Sequence, residues 1–144
     1  KQMHAAMLQH YDNMDLVICS AAVADYAPAE VSTRKIKKTD HSLNLALIKT
    51  KDILADLGAK KKQQVLVGFA LETENIEAYA LEKLRKKNLD VIVANSAIEP
   101  GSGFSGDTNK ITLLDKHNKI TKFELKSKAD VASDIVHYLV HYKA

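Results

Sequence analysis

Three apolar runs constrain this 144-residue chain more than any other feature. They lie within Asp15–Ala22, Gln64–Ala70 and Asp90–Ala94, and none of them alternates with polar residues at its centre. Such runs read as strands covered on both faces, the pattern of a parallel sheet flanked by helices. Helical patterns separate them. Residues 2–13 place Met3, Ala6, Met7 and His10 at helical spacing. Asp52 opens a short helix, Ile53 to Leu57, that Gly58 is expected to stop. Thr73 and Glu77 suit a capping box for a helix over 74–88, with Ile76, Tyr79, Ala80 and Leu84 on its apolar face. Ile111–Leu114 and Ile120–Leu125 read as a hairpin around His117-Asn118. Ser127 with Asp130 caps a last helix that carries Val131, Ile135, Leu139 and Tyr142. The expected fold is α/β: a Rossmann-like parallel sheet with helices on both faces, plus a C-terminal hairpin and helix.

Other stretches are less regular. Ala24 to Lys38 reads as a loop because of Pro28, and Leu43, Leu45 and Leu47 suggest a half-exposed strand. Residues 96–109 are polar and turn-rich. With no repeat or linker, residues 1–144 are expected to form a single domain. Hydrophobic residues make up 46% and charged residues 27%, values of an ordinary globular chain. The formal charge of +3 is too small to imply nucleic-acid binding. Cys19 is the only cysteine, which excludes an internal disulfide and a cysteine zinc site. No apolar run approaches the ~20 residues a membrane helix needs, so no membrane partner and a cytoplasmic setting are expected.

Ligands of such sheets lie beyond the carboxyl ends of the strands. Here those ends are Ser20–Asp25, Gly68–Glu72 and Ala94–Asn95. The small residues after Cys19 let a ligand approach the backbone. Asp25 can accept from ribose hydroxyls, hold a metal or cap a turn. Lys35, Lys37 and Lys38 can neutralise phosphates or form a solvated loop. Lys83 and Lys87, at i and i+4, share one helical face and repel unless an anion joins them. Phe69 suits a core or a base-stacking position, and Glu72 a helix start or a site carboxylate. Lys60-Lys61-Lys62 reads as a solvated face. His137 and His141 are at i, i+4 but lack a third ligand. The chain is read as having no phosphate loop of the G-x-G-x-x-G type.

Six motifs occur in order: Ala21-Ala22-Val23-Ala24-Asp25-Tyr26; Lys35-Ile36-Lys37-Lys38; Lys51-Asp52-Ile53-Leu54; Val67-Gly68-Phe69-Ala70 followed by Glu72-Thr73; Lys83 with Lys87; and Asp90 through Ile92-Val93-Ala94-Asn95. In these the chain resembles the bacterial, CTP-using phosphopantothenate–cysteine ligases. The resemblance implies CTP-dependent joining of 4'-phosphopantothenate to cysteine through an acyl-cytidylate. It implies CTP contacts at Cys19, Ser20, Ala21, Asp25, Lys35, Lys51, Asp52, Ile53, Leu54, Phe69, Lys83 and Lys87. Lys35 is the expected catalytic residue, Lys37 and Lys38 the expected flap, and Mg²⁺ the expected companion of CTP. A homodimer and a fused or separate flavin-dependent decarboxylase are implied too. The family pattern has Pro where Lys51 stands. It also has a further half-domain upstream, so the chain is expected to be a fragment that exposes a sheet edge and to bind CTP weakly without completing the ligation. The alternatives are an NAD(P)-dependent Rossmann oxidoreductase, disfavoured by the missing glycine fingerprint, and a catalytically silent nucleotide-binding or dimerisation piece.

Overall fold

A computed structural model describes residues 1–37, 42–102 and 106–142. In chain order the elements are α1 (Gln2–Tyr11), β1 (Leu16–Cys19), β2 (Tyr26–Pro28), β3 (Leu47–Lys49), α2 (Ile53–Lys60), β4 (Val65–Glu72), α3 (Ile76–Lys86) and β5 (Val91–Ser96). They continue with β6 (Thr108–Asn109), β7 (Ile111–Asp115), β8 (Ile120–Lys122), β9 (Lys126–Ser127) and α4 (Lys128–Val140). The central sheet runs β1-β4-β5-β7-β8. Its first three strands are parallel, and β7 and β8 join antiparallel. The sheet is therefore mixed, because the C-terminal hairpin pairs with β5 instead of standing apart.

Strand periodicity explains the unbroken apolar runs. Leu66, Ala70, Ile92, Ala94 and Leu114 point to one face, where Tyr11, Leu57, Ala80 and Leu84 of α1, α2 and α3 cover them. Val67, Val91, Val93, Ile111 and Leu113 point to the other, under Val131 and Ile135 of α4. Each of these large side chains, once fully buried, contributes about 1.5–3 kcal/mol. Coverage fails at β1. It is an edge strand, and Leu16 and Ile18 stay 43% and 39% exposed, against the expectation of two covered faces. The cluster beneath α4 draws on β4, β5 and β7 and includes nothing from β1.

Several local expectations change. Tyr26–Pro28 is a strand, not loop, and pairs antiparallel with Leu47–Lys49. Pro28 is tolerated because the two-stranded ribbon has free edges. Leu43 and Leu45 precede that strand and are exposed. The helix over α3 begins after Asn75, which is left-handed at φ 46 and makes no side-chain cap. Thr73 does not cap it, because β4 pairs as far as Glu72 with Ser96. At the last helix, by contrast, Ser127 Oγ accepts from the Asp130 N–H at 3.1 Å as the sequence suggests.

Gly58 does not stop α2, which continues to Lys60. It is a contact glycine: a Cβ there would sit 1.9 Å from the Lys87 carbonyl oxygen. Asn88 Nδ2 donates to the Gly58 carbonyl at 2.9 Å and locks the same seam. Gly58→Ala must therefore separate α2 from the end of α3, at a cost of about 1–3 kcal/mol. Thermal unfolding of the variant checks this; an unchanged midpoint would show the seam to be soft.

Lys61 is also misread by local pattern. Its side chain is 11% exposed, and its ammonium donates to Asp90 Oδ2 at 3.0 Å. Asp90 is 2% exposed, and its carboxylate also accepts from Lys116 Nζ at 2.9 Å and the Leu66 N–H at 2.9 Å. Lys60 and Lys62 follow the solvated reading: both are exposed, and Lys62 makes only an exposed pair to Asp12. Among the described residues, no helix is long and apolar enough to cross a membrane.

Candidate functional site

A cavity of about 790 Å³ opens at the carboxyl ends of β1, β4 and β5, a size typical of small-molecule sites. One wall is the chain leaving β1, from Cys19 through Ser20 and Ala21 to Asp25. Thr50 fixes this segment: its Oγ1 donates to the Ala24 carbonyl at 2.6 Å and its N–H to the Asp25 carbonyl at 2.8 Å. Burial pushes the Cys19 thiol up, so it stays protonated and suits a wall, not a nucleophile. The Asp25 side chain has no protein partner among the described residues.

The second wall is the start of α2, with Lys51, Asp52, Ile53 and Leu54. Asp52 caps the helix, accepting from the Ala55 N–H at 3.0 Å through Oδ1. Its Oδ2 lies 2.9 Å from Lys87 Nζ, which also lines the cavity. Burial pushes the Asp52 carboxyl up, but hydrogen bonds from Lys87 and Ala55 outweigh it and hold it below the ordinary range. It is ionised at neutral pH.

The third wall comes from Phe69, Ala70 and Leu71 of β4, Asn95 of β5, Asn109 of β6, and Lys128, Val131 and Ile135 of α4. Phe69 packs against the core under α4 and reaches the cavity as well. Asn109 Oδ1 accepts from Asn95 Nδ2 at 3.3 Å and Ser102 Oγ at 2.7 Å, joining the strand end to the following loop. Thr50, Asn109 and Lys128 carry no local signal; only the fold brings them here. Asn95 ends a buried strand, which is the one clue the sequence offers.

Three expected residues lie elsewhere. Lys35 and Lys37 are exposed and do not line the cavity. Lys38 lies outside the described residues. Lys83 pairs with Glu72 at 2.6 Å, so Lys83 and Lys87 do not need a shared anion; each has its own carboxylate. His141 Nδ1 and the His137 carbonyl lie 2.8 Å apart. Among the described residues no group of three His, Cys, Asp or Glu could hold a metal ion.

The glycine fingerprint needs correcting. Gly101, Gly103 and Gly106 do spell G-x-G-x-x-G. What sets the oxidoreductase reading aside is context: the stretch follows β5 and leads to β6 and antiparallel β7, and among the described residues no helix follows it whose N-terminus could take a pyrophosphate.

A family model for the DNA/pantothenate metabolism flavoprotein C-terminal domain matches residues 1–142. The chain is 48% identical over 136 residues to a cysteine/cysteine sulfinic acid decarboxylase of an unknown prokaryotic organism, covering 94% of this chain and 38% of that protein. It is 48% identical over 134 residues to the coenzyme A biosynthesis bifunctional protein CoaBC of Bacillus subtilis, covering 93% of this chain and 33% of that protein. It thus spans little more than a third of these curated relatives. The crystal structure of the C-terminal domain of a coenzyme A biosynthesis bifunctional protein CoaBC aligns with a TM-score of 0.76 at 38% identity. That match covers 96% of this chain and 59% of the other.

Proposed function

The chain belongs to the DNA/pantothenate metabolism flavoprotein C-terminal domain family, and on that footing we propose that it forms the nucleotide-binding part of a CTP-dependent phosphopantothenate–cysteine ligase domain of coenzyme A biosynthesis. In this reaction the 4'-phosphopantothenate carboxylate attacks the α-phosphate of CTP and releases pyrophosphate. The amine of cysteine then displaces CMP from the acyl-cytidylate to form the amide. The protein's task is to align the reactants and to stabilise charge on phosphate oxygens and on a tetrahedral oxyanion.

The observation that carries the reading is the convergence of separate sequence motifs on one cavity. Cys19, Ser20, Ala21, Asp25, Lys51–Leu54, Phe69 and Lys87 come from four stretches and line it together. The small residues after β1 admit a ligand to the backbone, and Asp25 offers the ribose a carboxylate that has no partner among the described residues. Lys35 reaches the triphosphate from the connection between β2 and β3, whose ends are tied by the Ala29 N–H donating to the Ala46 carbonyl at 2.9 Å. Lys37 and Lys38 are assigned to the same flap, and Lys83 would have to leave Glu72 to meet the nucleotide. Mg²⁺ favours phosphates, water and one or two carboxylates over an all-protein cage. The single carboxylate of Asp25 fits that donor set, and the nucleotide would bring the metal.

The ribbon supports a homodimer. Tyr26, Leu47 and Ile48 on its strands are 59%, 53% and 48% exposed, more apolar surface than a two-stranded piece carries alone in water. A cytoplasmic enzyme, with a flavin-dependent decarboxylase fused or separate, completes the reading. The decarboxylase name of one relative is not carried to this stretch, because the same residues align at the same identity with CoaBC.

Protection from thermal unfolding tests the proposal. With Mg²⁺ present, CTP at a hundred times its dissociation constant stabilises the fold by about 2.7 kcal/mol. CTP is expected to protect more than ATP, and NAD⁺ not at all. Protection by NAD⁺ without CTP would overturn the reading.

A further inference from the structure

Asn95 lies near the end of β5, on the face that Val91 and Val93 turn toward α4, and it lines the third wall of the cavity. Its neighbours fix which way its amide points. Asn109 Oδ1 accepts from the Lys110 N–H at 3.0 Å and from Ser102 Oγ at 2.7 Å. A backbone N–H only donates, so that atom of Asn109 is the oxygen. Asn95 meets the same oxygen at 3.3 Å and must turn its amide nitrogen toward it. The Asn95 carbonyl oxygen is left to the cavity, with no partner among the described residues. The tie to Asn109 holds it there before any ligand arrives.

This acceptor is neutral, and the others are not. Among the described lining residues the carboxylates are Asp25 and Asp52, on the other two walls. The difference matters for an amine that acts as a nucleophile. A carboxylate beside it favours the charged ammonium, whose nitrogen has no lone pair to give. An amide oxygen takes one N–H of the neutral amine and leaves the lone pair free to meet a carbon. We propose that Asn95 binds and aims the amine of the cysteine substrate through its carbonyl oxygen, a role that rests on the ligase reading above. In that step the amine lone pair forms the C–N bond. The acyl C–O bond to the cytidylate breaks with its electron pair on the CMP phosphate oxygen, and one amine proton passes to that oxygen. Asn95 takes no proton; it holds one N–H while the other is lost. The amine thus enters from the β5 side of the cavity, separate from the nucleotide contacts at the end of β1 and the start of α2.

The test is made in the full-length enzyme, with the two half-reactions read apart. Pyrophosphate release from CTP and 4'-phosphopantothenate reports the first, and CMP release as cysteine is varied reports the second. Asn95→Leu, close in volume, should leave pyrophosphate release unchanged and raise the KM for cysteine about tenfold, the loss of one hydrogen bond. Asn95→Asp should keep that KM and slow CMP release at saturating cysteine by about tenfold or more, because a carboxylate holds the ammonium form. Unchanged cysteine kinetics in both variants would overturn this proposal alone. An equal fall in both half-reactions would overturn it too, because Asn95 would then only brace the loop. If Asn95→Leu does not fold, Asn95→Asp decides by the same readouts. A wild-type enzyme that releases no pyrophosphate from CTP would overturn the ligase reading and this proposal with it.

Discussion

Asp90→Ala lowers the stability of the fold by about 3–5 kcal/mol, the cost of removing one partner from a buried ion pair. The carboxylate is 2% exposed and accepts from two ammonium groups and a backbone N–H. Its loss leaves Lys61, with a side chain 11% exposed, charged and without its partner. It also orphans the Leu66 N–H within the sheet. Asp90→Asn keeps an acceptor for that N–H and removes only the charge, so it should be the milder variant. Urea denaturation measures both. Asp90→Ala within 1 kcal/mol of wild type would mean the lysines find solvent without cost.

The same group sets an acid limit. Burial pushes the Asp90 carboxyl up, but the Leu66 N–H, Lys116 and Lys61 outweigh it and hold it below the ordinary range. The unfolded chain's carboxyl titrates near 3.9, so it binds the proton more readily than the native one. The stabilisation is complete above about pH 4 and is lost as pH falls through the lowered native value. Asp52, shifted in the same direction, adds to that slope. Denaturation curves from pH 6 down to pH 2.5 should steepen below pH 4, and Asp90→Asn should flatten them.

In the full-length enzyme, Lys35→Gln should slow acyl-cytidylate formation by about 10²–10³-fold, near 2.7–4 kcal/mol, the range for deleting one donor to a developing oxyanion. Stability should move by no more than about 0.5 kcal/mol, as expected for an exposed side chain. Lys35 is exposed and has no ion pair among the described residues, so it is available to a ligand. The measurement is pyrophosphate release in a single turnover, set beside CTP affinity. A defect confined to affinity would make Lys35 a binding residue; an unchanged burst would remove it from the chemistry.

Much of the candidate site was legible because it lies at strand ends. An apolar run announces the strand, and the residue where the run fails marks its end. Cys19, Ser20, Ala21, Phe69 and Asn95 could be placed that way. The lysines could not. Lys61 and Lys83 look like solvated charge until Asp90 and Glu72 are seen beside them. The G-x-G-x-x-G string shows the converse failure: its letters are present, and only the strand that follows it tells that it is no phosphate loop.

The sequence by itself determined the four helices, the apolar faces of α3 and α4 and the three parallel strands. Those features are written in local periodicity, which one window of chain contains in full. The tertiary structure alone decided that the hairpin extends the sheet antiparallel, that Gly58 is a contact and not a stop, and that β1 keeps one face open. It alone joined Lys87 to Asp52 and two lysines to Asp90. Each of those outcomes depends on residues from separate elements meeting in space, and no spacing along the chain encodes such a meeting.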